Sequence, residues 1–162
     1  MANAQNNNFI WHRTQETNQH QNDPALMKMS EEIEYVDYKD ESMIKDIMTL
    51  VSRDLSEPYS IFTYRYFLHT WPELCTCAFA KDPDTGERVM IGTVVSKAEE
   101  EAGVMQGYIA MLTVDSRFRN KGIGKTLSNI NIDRMAKNGC KVIILETEVS
   151  FNRVIDCHCH VF

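Results

Sequence analysis

A junction between an apolar strand and a glycine-punctuated helix start, at residues 107–124, constrains this chain more than any other feature. Its sequence is GYIAMLTVDSRFRNKGIG. Glycines let such a turn present backbone N–H groups to a small anion, and the first turn of the following helix adds a partial positive charge. Basic side chains surround the turn, namely Arg117, Arg119, Lys121 and Lys125. The junction therefore predicts an α/β domain that binds a cofactor carrying a pyrophosphate group.

Two other kinds of phosphate-binding turn are excluded by single residues. A dinucleotide-binding turn needs a third glycine where this chain has Leu127. A P-loop contains the triplet that Gly124-Lys125-Thr126 supplies, but its leading glycine would stand where this chain has Arg119. The remaining alternative is a solvated basic turn that binds no ligand.

Composition limits the class of protein and its partners. A chain of 162 residues with 43% hydrophobic content supports one compact domain. The net charge of −6 argues against a direct nucleic-acid partner. No apolar run approaches the roughly 18 to 20 residues of a membrane span, and no secretory signal is visible. Five cysteines without a scaffold spacing suit a reducing compartment, so we expect a cytoplasmic protein that does not engage a membrane.

The pattern of apolar residues predicts one mixed α/β domain over residues 31–150. Residues 1–30 are rich in Asn and Gln and are expected to form a disordered tail. The order β-α-α-β-β-β-α-β follows from strands near 33–38, 75–79, 89–97, 107–115 and 142–148, with helices from about residue 40, over 61–70 and after Gly124. The acidic run 99–101 is interpreted as a turn.

Residues 119–124 also match the pattern R/Q-x-x-G-x-G/A, and the chain resembles the GNAT acetyltransferases, whose acetyl-CoA loop has this pattern between a strand and a helix. Longer stretches resemble the catalytic subunit of NatC-type N-terminal acetyltransferases: LSEPYSIFTYRYF at 55–67, WPEL at 71–74, GYIAML at 107–112 and LETEVS at 145–150. The resemblance implies a GNAT fold and acetyl transfer from acetyl-CoA to the α-amine of nascent proteins that begin with Met and a bulky apolar residue. It also implies NatC auxiliary subunits and the ribosome as partners.

Catalytic and substrate-binding roles follow for six residues. Glu146 ends an apolar strand and is expected to be the general base, and Tyr108 is expected to relay a proton. As alternatives to these catalytic roles, Glu146 could lie at a strand end exposed to water, and Tyr108 could be an aromatic residue that packs on the sheet edge. The loop that receives the first substrate residues is expected to contain Leu55, Glu57, Pro58 and Tyr59. Glu57 could hold the substrate amine, or could be an exposed loop carboxylate.

Cofactor contacts are expected from the end of the strand and from the turn. Backbone N–H groups of Leu112, Thr113 and Val114 can serve the pantetheine arm or the developing oxyanion. The diphosphate is expected at the turn and its basic surroundings, formed by Arg119, Asn120, Lys121, Gly122, Ile123, Gly124 and Lys125.

The resemblance stops after Ser150, and residues 151–162 match nothing in the family's next helix or its last two strands. We therefore expect strand 142–148 to be an exposed apolar edge, with low turnover in this form. Adjacent residues Cys157–His160 lack the spacing of a zinc site, so no metal is expected. A non-catalytic form that retains acetyl-CoA or auxiliary-subunit binding, and a GNAT enzyme acting on another amine, are the alternatives.

Overall fold

A single mixed sheet organises the part of the chain that the computed structural model describes, which is residues 9–10, 33–54 and 59–145. The strand order is β1-β6-β5-β4-β3-β2. Strands β5 and β6 run parallel, and every other neighbouring pair is antiparallel. The bounds are β1 Phe9–Ile10, β2 Glu34–Asp37, β3 Cys75–Lys81, β4 Arg88–Glu101, β5 Val104–Val114 and β6 Val142–Leu145.

In the described ranges, three α-helices flank the sheet, and their ends follow from local sequence. Helix α1 (Ile44–Asp54) continues a short 3-10 turn, at which the Asp40 carboxylate accepts a hydrogen bond from the Ser42 N–H over 2.9 Å. Helix α2 (Ile61–Thr70) is capped by Ser60, because the Ser60 hydroxyl accepts from the Thr63 N–H. Helix α3 (Ile123–Lys137) begins after Gly122.

The two faces of the sheet carry separate hydrophobic cores. On one face, α3 packs against the strands through fully buried Leu127 and Met135. On the other face, α1 and α2 contribute fully buried Ile47 and Leu68. Each amphipathic helix therefore buries its apolar side against the sheet, which is what fixes the start of α3 beside the end of β5.

The predicted element order is confirmed for the described residues, with two corrections. Residues 99–101 are not a turn, since β4 continues through them and the chain reverses at Ala102 and Gly103, which have φ of 51° and 80°. The described part of β6 is also not a bare edge, because Ile144 and Leu145 pair with β1.

Strand β1 was not anticipated within residues 1–30. The other residues of that predicted tail lie outside the described ranges, as do residues 146–162, including the end of the predicted strand 142–148 and Cys157–His160.

Candidate functional site

The turn between β5 and α3 has the backbone shape of an anion-binding concavity. Asn120 and Gly122 both adopt left-handed conformations, with φ of 63° and 77°. Left-handed residues in a turn can direct neighbouring backbone N–H groups toward one point, where they can surround an anion. Glycine is the residue that adopts this conformation without steric cost, which explains Gly122.

The first turn of α3 leaves donors available at the same place. The first backbone hydrogen bond of the helix runs from the Thr126 N–H to the Gly122 carbonyl, over 3.0 Å. Within the described residues, no hydrogen bond to a protein acceptor is found for the N–H groups of residues 122–125. These amides, together with the positive end of the helix dipole, can bind a diphosphate.

Gly124 is not required by the packing of the protein itself. A Cβ atom built there would approach only Val114 Cγ2, at an ordinary distance of 3.7 Å. The absent side chain thus leaves an opening beside the amides, which is the space that a ligand phosphate would use.

A β-bulge re-aims the end of β5 toward this turn. Val95 of β4 pairs with Met111 and Ser96 pairs with Ile109, so Ala110 is an extra residue in β5. The bulge reverses the alternation of side chains. Ile109 accordingly packs in the core under α3, whereas Met111 packs in the core under α1 and α2. The bulge is a structural feature beside the candidate site that the sequence did not predict.

Beyond the bulge, one edge of β5 faces away from β4. The Asp115 N–H donates to the Ile91 carbonyl of β4 over 2.8 Å, so strand alternation directs the backbone groups of Val114 and Leu112 to the opposite edge. In the described part of the chain, β6 pairs only with residues 106–109 of β5. Thr113, by the same alternation, points its backbone at its partner Thr93.

The strand end and the turn are brought together by side chains. Arg119 Nε donates to the Val114 carbonyl over 3.0 Å, which joins two segments that the sequence analysis assigned to one cofactor. Lys121 and Lys125 are exposed beside the turn, and Lys121 Nζ lies 5.1 Å from the centre of the Phe118 ring. The outward edge of β5 and the turn therefore adjoin each other, but Thr113 is a correction to the predicted set, because it is buried and its backbone faces β4.

Arg117 is not part of this basic surface, because two carboxylates neutralise it. Its guanidinium donates to Asp82 over 2.8 Å and to Asp115 over 3.1 Å. The hydrogen bond from Arg117 lowers the pKa of the Asp115 carboxyl. The pKa of Asp82 is lowered first by the Asp84 N–H and then by Arg117. Arg117 thus ties the β3–β4 turn to the start of the turn between β5 and α3.

Tyr108 lies on the other face of the sheet from α3. A Cβ atom at its neighbour Gly107 would overlap Met135 of α3, so Gly107 faces α3 and Tyr108 faces the α1 and α2 side. The Tyr108 side chain is half-buried, and the residue pairs with Lys97 of β4 and Ile144 of β6.

Tyr59 lines a groove of about 470 Å³ between α1 and α2, and its ring meets the Tyr64 ring edge-on at 6.2 Å. The other predicted substrate and catalytic residues, Leu55, Glu57, Pro58 and Glu146, lie outside the described residues.

The described residues contain neither a metal-binding cluster nor a membrane-spanning helix. No three His, Cys, Asp or Glu side chains there converge on a point where a metal ion could bind. No helix in those ranges has both the length and the apolar character needed to cross a membrane.

Comparison with known proteins identifies the family. The sequence profile of the acetyltransferase (GNAT) family matches residues 44–160, well over half of the chain. The chain belongs to the GNAT acetyltransferase family. The match extends past Ser150, where the resemblance in the sequence analysis stopped.

Relatives of this GNAT domain include proteins named N-alpha-acetyltransferase 30. The one from Dictyostelium discoideum is 44% identical over 123 residues, which are 76% of this chain and 63% of that protein. The one from Xenopus laevis is 47% identical over 119 residues, 73% of this chain and 41% of that protein. The chain thus spans less than two thirds of the length of either relative.

A solved structure, that of the NatC complex bound to Gag peptide and CoA, contains a similar GNAT chain. The two share 42% identity with a TM-score of 0.68, covering 75% of this chain and 80% of the other. At this level of identity, the predicted GNAT fold is confirmed.

Proposed function

We propose that this GNAT domain is a NatC-type protein N-terminal α-acetyltransferase, which transfers acetyl from acetyl-CoA to the α-amine of proteins beginning with Met and a bulky apolar residue. The observation that carries the proposal is the cradle of N–H groups at residues 120–125 beside the outward edge of β5. Identity of 42–47% to proteins named N-alpha-acetyltransferase 30, and to a chain of a NatC complex, supports the amine and the substrate class.

The cofactor contacts divide between the turn and the strand. The N–H groups of residues 120–124, with the ammonium groups of Lys121 and Lys125, would hold the diphosphate. The N–H groups of Leu112 and Val114 would hold the extended arm or the carbonyl oxygen as charge develops on it. Acetyl-CoA, when bound, supplies the thioester carbonyl that the amine attacks.

Proton removal from the substrate amine is assigned to Glu146 and Tyr108. An α-amine has a reference pKa of about 7.7–8.0, so most of it carries a proton at neutral pH and is not nucleophilic. Glu146 would accept that proton directly or through water, and Tyr108 would relay it. The new bond would join the amine nitrogen to the acetyl carbon, the carbon–sulfur bond would break, and the CoA thiolate would leave and take up the second proton that the amine loses.

Selection of the N-terminus is assigned to the segment between α1 and α2. Leu55, Pro58 and Tyr59 would surround the first apolar side chains, and Glu57 would hold the amine. Nascent chains are the expected substrates, with auxiliary subunits of a NatC complex and the ribosome as partners. The cytoplasm is the expected compartment, and the free buried thiols of Cys75, Cys77 and Cys140 suit its reducing conditions.

An acetylation assay tests the proposed activity. The full chain, alone and together with NatC auxiliary subunits, is incubated with acetyl-CoA and a peptide beginning Met-Leu that also contains lysine. Mass spectrometry should find acetyl on the α-amine, and none on the same peptide with a blocked N-terminus. Acetylation of lysine, or no acetylation in either preparation, would overturn the proposal.

Glu146→Gln separates chemistry from binding. It should lower kcat far more than it weakens CoA binding, because the carboxylate moves a proton and does not hold the cofactor. Unchanged turnover would remove Glu146 from the mechanism.

A further inference from the structure

Four polar side chains lie in a row on the sheet face that carries α1 and α2. Lys97 and Glu99 are two residues apart on β4 and therefore share a face, and Lys97 is the direct cross-strand partner of Tyr108 on β5. Tyr66 reaches the same row from α2. The row connects a helix that follows the predicted substrate loop with the tyrosine assigned to proton relay.

Each member of the row holds the next. The Tyr66 hydroxyl donates to Glu99 Oε1 over 3.0 Å, and Lys97 Nζ donates to the other Glu99 oxygen. Lys97 Nζ in turn lies 6.0 Å from the centre of the Tyr108 ring, at the outer limit of a cation–π contact. The ammonium group is thus positioned by Glu99, and Glu99 is itself held by the Tyr66 hydroxyl.

The charges of the pair are stable at neutral pH. The hydrogen bond between the two side chains lowers the pKa of the Glu99 carboxyl and raises the pKa of the Lys97 ammonium. Ion pairs this close to solvent contribute little to folding stability, so stability gives no strong reason for the arrangement. Its main physical effect is to place a fixed positive charge beside Tyr108.

We propose that Lys97, held by Glu99 and Tyr66, is a positioning residue for acetyl transfer that fixes the Tyr108 ring in the orientation needed for proton relay. The inference rests on the proposed function, since it acts through Tyr108. With Lys97 included, the proposed site occupies both faces of the sheet. Lys97 and Tyr108 lie on the face that carries α1 and α2, whereas the turn that would bind the cofactor lies with α3 on the opposite face.

Lys97→Met is the first test, because it removes the charge and keeps the length of the side chain. We expect kcat to fall about tenfold while KM for acetyl-CoA changes less than about twofold. Glu99→Gln should lower kcat in the same direction, and Lys97→Arg should retain most of the turnover. A change confined to KM for acetyl-CoA would contradict the inference.

Arg88→Met provides a matched control on the same strand. Arg88 also pairs with a carboxylate, Glu34, and its guanidinium carbon lies 3.7 Å over the Phe79 ring. It therefore makes the same kinds of contact as Lys97, but with residues that have no part in the site. Arg88→Met should leave kcat unchanged, and an equal loss in both variants would overturn the inference.

A double-mutant cycle with Tyr108→Phe distinguishes this inference from the proposed function. If Lys97 acts through Tyr108, Lys97→Met should lower kcat in the unmodified chain and have little further effect beside Tyr108→Phe. The same fold-loss in both backgrounds would overturn the role of Lys97 while leaving the acetyltransferase activity established. Full activity of Tyr108→Phe would overturn both assignments to this side of the sheet.

A spectroscopic measurement tests the contact without turnover. In chain labelled with 3-fluorotyrosine, the ¹⁹F resonance of Tyr108 is identified by its loss in Tyr108→Phe. This resonance should shift in Lys97→Met and not in Arg88→Met, because only Lys97→Met removes a positive charge that lies near the Tyr108 ring. An unchanged Tyr108 resonance in Lys97→Met would overturn the inference whatever the activity of the chain.

Discussion

Gly122 and Gly124, in the turn between β5 and α3, are present for different physical reasons. Substituting each with alanine distinguishes the two reasons. Gly124 has ordinary backbone geometry and space for a methyl group, whereas Gly122 has a φ of 77°. Gly124→Ala should leave the free energy of unfolding within about 0.5 kcal/mol of the unmodified chain, as for most substitutions without a steric cause. It should nevertheless weaken CoA binding about tenfold or more, because the methyl group occupies ligand space.

Gly122→Ala is the comparison for that experiment. A left-handed conformation costs an alanine about 1–2 kcal/mol, so this variant should lose stability as well as CoA affinity. Urea unfolding and calorimetric titration with CoA measure the two quantities. Equal stability losses in the two variants, with unchanged CoA binding in Gly124→Ala, would show that the opening beside Gly124 is not used by a ligand.

The role of single residues was only partly readable from sequence. The glycines and the basic turn could be located because backbone chemistry at a helix start depends on local sequence. The neutralisation of Arg117 could not, since one of its two partners, Asp82, is 35 residues away and is brought near only by the β3–β4 turn. A local signal did exist, because the Asp115 carboxylate also accepts from the Arg117 N–H over 3.0 Å, a short-range cap.

At the scale of elements, α3 is docked by one buried amide. Asn131 is completely buried, donates to the Leu74 carbonyl over 2.7 Å and to Ser96 Oγ over 2.9 Å, and accepts from Thr76. Asn131→Leu would leave these buried polar groups without a hydrogen-bond partner. It should therefore lower the free energy of unfolding by about 3 kcal/mol. Exposed Asp133→Leu on the same helix is the control, and similar losses in urea unfolding would contradict a specific role for Asn131.

The bridge from Arg117 to Asp82 and Asp115 predicts a pH dependence of stability. Both carboxyls have a pKa lowered in the folded chain, so their contribution is present above the unfolded pKa of about 3.9 and is lost as pH falls through the folded pKa. Between about pH 5 and 2, the unmodified chain should therefore lose more stability than Arg117→Met.

Urea midpoints across that pH range provide the measurement for the Arg117 bridge. Lys137→Met removes the same charge from an exposed position at the end of α3 and should give a curve parallel to that of the unmodified chain. If Arg117→Met also gives a parallel curve, the bridge does not stabilise the folded state.

The elements themselves were predictable, and their irregularities were not. The bounds of α2 follow from Ser60 and Trp71-Pro72, which are local signals. The length of β4 was underestimated because Glu99–Glu101 looks like a turn by composition, whereas pairing with residues 104–106 of β5 keeps those residues extended. The bulge at Ala110 arises from register between strands, a quantity that a single strand's sequence does not contain.

For the whole molecule, the assigned cofactor predicts a change in thermal stability. A ligand that binds only the folded chain stabilises it by about 2.7 kcal/mol at 100 times its Kd, which corresponds to a Tm increase of about 5–10 °C for a chain of this size. CoA should produce this increase, and pantetheine, which lacks the diphosphate, should not. Equal increases in Tm with CoA and with pantetheine would show that the main ligand contact is not made by the diphosphate at residues 120–125.

The overall architecture could be derived from sequence because each helix has one apolar side and the sheet needs cover on both faces. The element order predicted a mixed α/β domain, and the GNAT fold was implied by the resemblance that residues 119–124 and the longer motifs carry. The contact between Tyr108 and Lys97 could not be derived in the same way, because the two residues meet only through cross-strand pairing.

The extra residue at Ala110 divides β5 into two stretches whose side-chain alternation is out of step. Another protein's β-strand without such a bulge cannot replace both stretches at once. Deleting Ala110 would rotate Leu112 and Val114 onto the opposite side of the sheet, away from the start of α3. A hybrid protein that imports this strand from a distant relative must therefore preserve the residue count on each side of position 110. Sequence similarity alone would not reveal such a mistake, since every imported side chain could be individually acceptable.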